Sequence, residues 1–126
     1  MVKLQKVAEL LEEVKTVLGY PLSVTSGYRC PELNMRIGSS VRSQHLLCEA
    51  ADFIPHGIAI DEAFRRLRHE GKDSIIHFGQ LICEKADRES KKEWIHISIG
   101  VPYREKPRSG QILTMVDGHY NLIETV

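Results

Sequence analysis

Three residues in this chain have the types and settings needed to hold one divalent metal ion. His45 and Asp52 lie in Ser43-Gln-His-Leu-Leu-Cys-Glu-Ala-Ala-Asp52, and His96 ends Glu93-Trp-Ile-His96. Zinc accepts nitrogen from neutral imidazole and oxygen from carboxylate, and a catalytic site supplies three protein ligands while leaving a fourth position to water. Two histidines and one aspartate meet that count. The metal lowers the pKa of its water from about 16 to about 7, which brings hydroxide within reach at neutral pH. These residues therefore read as a zinc hydrolase site, with Glu93 as the candidate to carry a proton from attacking water to a leaving amine.

The elements that must position these groups can be read from hydrophobic spacing. Leu4, Val7, Leu11, Val14 and Leu18 recur at steps of three and four, which predicts an amphipathic helix over residues 3 to 18 ended by Gly19. Leu22 to Ser26 reads as a short strand, and Ser26-Gly27-Tyr28-Arg29 as the turn leaving it. Pro31 opens a short helix through about Ile37, and Gly38-Ser39-Ser40 marks a loop leading to His45. Ala50 to Ile54 is a buried strand, Asp61 to Glu70 a helix stopped by Gly71, and Gln80 to Glu84 a further strand. The charged run from Glu84 to Glu93 reads as a solvated connection.

Trp94 to Ile99 is the most informative strand. Its alternation puts Ile95, Ile97 and Ile99 on one face and Trp94, His96 and Ser98 on the other, so burying the isoleucines aims His96 at a cleft. On a straight strand Glu93 and His96 would stand roughly 10 Å apart on opposite faces. Glu93 can thus serve the site only if the chain bends before Trp94. Ile112 to Val116, Asp117-Gly118 and His119 to Leu122 complete the chain as a hairpin with a type I′ turn signal.

Bulk properties narrow the function further. A length of 126 residues and 42% hydrophobic content fit one domain, 1–126, with a real core. Seventeen basic and seventeen acidic residues cancel, so no nucleic-acid footprint or polybasic membrane signal is present. Glu9, Glu12, Glu13 and Lys15 interrupt the apolar run that a signal peptide needs, and no segment is suited to spanning a bilayer. Cys30, Cys48 and Cys83 are odd in number and lack paired spacing, which argues against a disulfide framework and for a reduced protein made in the cytoplasm.

Three ordered motifs, Ser26-Gly-Tyr-Arg-Cys-Pro-Glu-Leu-Asn34, Ser43-Gln-His45 through Ala50-Ala-Asp52-Phe53, and Trp94-Ile-His96-Ile-Ser98, resemble the zinc D-alanyl-D-alanine carboxypeptidases and related L-alanyl-D-glutamate phage endolysins. The similarity runs from about Leu22 to Ser98. It implies a Hedgehog-type α+β fold, a single small domain in which an antiparallel sheet carries helices packed on one side. It also implies one zinc ion per chain on His45, Asp52 and His96, with Glu93 as the acid/base carboxylate. Arg29 falls on the substrate-polarising arginine and Ser43 on a serine beside the site. Arginine suits that role, since its donors are fixed and its charge is permanent.

The implied substrates are peptidoglycan stem peptides, cut at the D-Ala-D-Ala end or at the L-Ala-D-Glu bond. A monomeric phage or prophage endolysin is then the expected setting, with action at the cell wall after phage-mediated release. The chain departs from the family at Cys48, where glycine is usual: cysteine would be strained at a positive φ, and His-x-x-Cys is itself a feasible zinc pair. That departure supports an alternative, a zinc-stabilised binding or phage structural module without chemistry.

Other residues keep two readings. Trp94 is a substrate-binding wall of the cleft or a core aromatic; Glu84 is a hydrogen-bond partner of a ligand imidazole or a solvated strand-end charge. Arg104, Lys106 and Arg108 line the cleft against acidic peptides or form an ordinary charged loop. His56, His69, His77 and His119 have no partner spacing and read as surface or core histidines.

Overall fold

The computed structural model describes residues 2–26, 50–86, 89, 92–99 and 110–126. The chain runs α1 (Val2–Leu18), β1 (Leu22–Ser26), β2 (Ala50–Pro55), α2 (Ile60–Lys72), β3 (Gln80–Lys85), β4 (Glu93–Ser98), β5 (Gln111–Val116) and β6 (His119–Thr125). The six strands form one sheet in the order β1-β2-β4-β3-β5-β6. Every described junction is antiparallel except β3 with β5, which is parallel. The α+β class expected from the sequence is the class observed, with one parallel pair in an otherwise antiparallel sheet. The predicted helix from Pro31 to about Ile37 lies outside the described residues.

Alternation along the strands sorts side chains to two faces. Phe53, Leu81, Cys83, Ile95, Ile97 and Ile112 are buried on one of them, where they join Leu10, Val14 and Leu18 of α1 and Ala63, Phe64 and Leu67 of α2. Each large side chain withdrawn from water in this way contributes about 1.5–3 kcal/mol. Leu10 is buried in the core, while its neighbour Leu11 packs at the core margin. Among the described residues no helix is long and apolar enough to cross a membrane.

Two turns show how local chemistry sets the element ends. Asp117 and Gly118 both have positive φ, 50° and 79°, which is the backbone of the type I′ turn expected between β5 and β6. Gly71 does not stop α2, which continues to Lys72. Its lack of a side chain serves packing instead, because a Cβ there would stand 2.7 Å from Cε1 of the buried Phe78 ring. The helix ends at Asp73, whose N–H donates to the His69 carbonyl at 3.1 Å, and Ser74 follows with φ 59°.

The terminal hairpin is anchored on several sides. Arg68 and Lys72 of α2 both pair with Glu124 of β6, and the Val126 N–H donates to the Gly110 carbonyl at 2.8 Å.

Gly71→Ala tests the packing role directly. In an open helix interior the change would gain about 1 kcal/mol. Here the methyl must displace the Phe78 ring, an overpacking that costs about 1–3 kcal/mol, so thermal denaturation is expected to show a lower melting temperature than the wild type.

Candidate metal centre

The sheet face opposite the helices carries the chemistry. In the register of β2, β4 and β3, Asp52 pairs with His96 and His96 with Ile82, so Asp52 and His96 are direct cross-strand neighbours on that face. Such pairs hold their Cβ atoms about 4.5–5.5 Å apart. Nδ1 of His96 and Oδ1 of Asp52 meet at 2.9 Å. A bulge in β1 between Val24 and Ser26 lies beside this position, and the Thr25 hydroxyl donates to the Asp52 carbonyl oxygen at 3.3 Å. Bulges of this kind re-aim the chain next to a site.

Glu84 completes the cluster. It lies two residues beyond Ile82 on β3, directly across from Trp94 and diagonal to His96. One donor atom each from Asp52, Glu84 and His96 lies within 4.8 Å of the other two. Glu84 is 6% exposed and His96 7%, so two carboxylates and an imidazole converge in a largely dry place. Burial is the main influence on Glu84 and raises its pKa; the charge of Asp52 acts in the same direction, while His96, Trp94 and Tyr120 oppose it. The carboxyl therefore sits above its ordinary value.

Two neighbours face this carboxyl. The Tyr120 hydroxyl of β6 donates to Oε1 of Glu84 at 3.2 Å. Burial first, and then the negative charge of Glu84, push the phenol up to about 12, so it remains a donor at neutral pH. The Trp94 indole N–H is buried and has no hydrogen-bond partner among the described residues. The indole nevertheless favours the charged form of the Glu84 carboxyl.

Glu93 stands elsewhere. The β3–β4 pairing continues without a break from Leu81↔Ile97 to Lys85↔Glu93, so the bend that Glu93 needed before Trp94 does not occur. Strand alternation turns Glu93 to the helix side, where Lys85 lies 3.8 Å from it and also pairs with Asp61 of α2. The acid/base expectation for Glu93 required that bend, and without it the pleat turns Glu93 to the face opposite His96. Glu84, assigned by sequence to a supporting or solvated role, is the glutamate that the sheet brings to the cluster. The readable signal was its parity on β3, which gains meaning only once β3 and β4 are known to be neighbours.

Of the other expected site residues, Arg29, Ser43 and His45 lie outside the described residues, as do Cys48, Arg104, Lys106 and Arg108. Trp94 is half-buried on the site face opposite Glu84. His56, His69, His77 and His119 are exposed, with His56 bonded to Ser23 and His69 to Asp73.

A family model described as Peptidase M15 matches residues 1–98. The chain belongs to the Peptidase M15 family. No curated relative matches it. The M15 match includes Asp52, Glu84 and His96 and closes with β4, leaving β5 and β6 beyond it. M15 enzymes are zinc peptidases, and the donor set of this member fits such an ion. Two donors on one tetrahedral zinc stand about 3.4 Å apart for bonds of about 2.1 Å, and the three donor atoms here lie within 4.8 Å of one another. A divalent cation would also offset the cost of burying the Asp52 and Glu84 carboxylates side by side.

Metal titration of the purified M15 protein checks this fit. Zinc is expected to raise the wild-type melting temperature, by about 2.7 kcal/mol of added stability at a hundredfold excess over the dissociation constant. His96→Ala and Asp52→Asn should abolish most of that shift in calorimetry.

Proposed function

We propose that this M15 protein is a zinc-dependent peptidase that hydrolyses an amide bond in peptidoglycan stem peptides, at the D-Ala-D-Ala end or at the L-Ala-D-Glu bond. The observation that carries the reading is the convergence of Asp52, Glu84 and His96 within 4.8 Å on one sheet face of a Peptidase M15 chain. His45, Asp52 and His96 are the proposed ligands of one zinc ion. When bound, that ion supplies Lewis-acid polarisation and lowers the pKa of water it holds.

The residues of the chain do the rest. Glu84 takes a proton from the attacking water and delivers it to the leaving amine; its raised affinity for protons, caused first by burial, suits a base that must also act as an acid. Arg29 holds the carbonyl oxygen and the negative charge that grows on it, with donors that cannot lose their charge. Ser43 and the Trp94 side chain line the substrate path. A phage or prophage endolysin, acting as a monomer at the cell wall, is the proposed setting.

A second reading has one specific support. The Glu84 carboxylate stands inside the donor cluster, and four protein ligands would close the coordination shell as in a structural site. The protein would then be a zinc-stabilised binding module without turnover.

One assay separates the two readings. A synthetic stem pentapeptide containing both candidate bonds is incubated with zinc-loaded protein, and the products are weighed by mass spectrometry. Glu84→Gln is expected to lower turnover by about 10²–10⁴-fold while retaining zinc, and Glu93→Gln to stay near wild type. Loss of zinc from Glu84→Gln, together with no release by the wild type, would favour the binding module. Loss of turnover in Glu93→Gln alone would return the acid/base role to Glu93.

A further inference from the structure

Tyr120 belongs to β6 (His119–Thr125), beyond the residues 1–98 that match the family model. It nevertheless reaches the cluster. Met115 of β5 pairs with Glu84 on one side and with Tyr120 on the other, so Tyr120 starts two strands away from Glu84 on the same face. Adjacent strands are about 4.8 Å apart, and the Tyr120 and Glu84 side chains together close the resulting distance of roughly 10 Å over the Met115 position. A shorter side chain at 120 would not arrive. The ring is largely exposed, at 57% for the residue, whereas its hydroxyl ends in a part-buried bond to Oε1 of Glu84.

The bond addresses a particular weakness of Glu84. Its carboxyl sits at the end of a flexible side chain, one strand away from His96 and diagonal to it, and among the described residues the buried Trp94 N–H makes no hydrogen bond to it. Among the described residues the Tyr120 hydroxyl is an oriented donor to this carboxyl, and that bond bears on where the carboxyl points relative to Asp52 and His96.

We infer that Tyr120 is a positioning residue, whose hydroxyl fixes the Glu84 carboxyl in the orientation that proton transfer requires, so that the terminal hairpin completes the site. This inference rests on the peptidase reading and on Glu84 as its acid/base. The hairpin is suited to the task because Arg68, Lys72 and Gly110 tie β6 and the chain end to the rest of the fold.

The test uses the full chain loaded with zinc and the same stem pentapeptide. Tyr120→Phe keeps the ring and removes one oxygen. It should lower kcat by about ten- to hundredfold, the effect of losing an oriented bond to a charged group, with KM within about twofold of wild type. Melting temperature and zinc content should not change. In a Glu84→Asp background, where the shortened carboxylate no longer meets the hydroxyl, adding Tyr120→Phe should cost nothing more. A wild-type kcat in Tyr120→Phe, a rise in KM alone, or an equal loss in the Glu84→Asp background would each overturn the inference. Release by the wild type and its loss in Glu84→Gln are read in the same assay, so a failure confined to Tyr120 leaves the peptidase reading standing. A zinc-loaded wild type that releases no product overturns both.

Discussion

The register of β4 between β2 and β3 is the constraint on which the site depends. A strand pleat has a period of two, so a slip of one residue would send His96 into the helix-side core and an isoleucine into the site. The burial of Ile95 and Ile97, both 0% exposed, opposes that slip with the energy of the whole core. Holding the isoleucines inward fixes His96 outward, and antiparallel pairing then sets Asp52 directly beside it. The candidate metal centre thus inherits its geometry from hydrophobic packing on the opposite face of the same sheet.

The same period separates the two glutamates that flank β4 chemistry. Glu93 and Glu84 are both partly or fully withdrawn from water, yet they meet opposite electrostatic surroundings. Lys85 lies 3.8 Å from Glu93 on the helix side and is shared with Asp61. Glu84 is buried beside the like charge of Asp52, and a carboxylate so placed holds protons more tightly than one at the surface. A buried acid of this kind is costly unless compensated, and such cost is tolerated where charge has to move or a cation is to be held. Side of the sheet, not distance along the chain, decides which glutamate has that character.

The closing hairpin shows how an element beyond the family match enters the centre. Its turn is local chemistry, since Asp117 and Gly118 supply the positive φ angles that a type I′ turn demands. Its placement is not local. The parallel pairing of β5 with β3 brings Met115 alongside Glu84, and only then does Tyr120 of β6 come within reach of the carboxyl.

Much was legible from the chain alone. The helix over α1, the outward direction of His96, the turn at Asp117-Gly118 and the donor character of Asp52 and His96 all follow from spacing and residue type, because each is governed by interactions within a few residues or by a simple periodicity. The role of Gly71 was not, since its meaning lies in the Phe78 ring that packs against it. Nor was the placement of Glu84, rather than Glu93, beside Asp52 and His96. Glu93 is three residues from His96 in sequence, and proximity along a chain is a poor guide on a strand, where the pleat turns such a pair to opposite faces. Strand order, register and the parallel β3–β5 junction join residues tens of positions apart, and only the packed sheet decides which of them share a face.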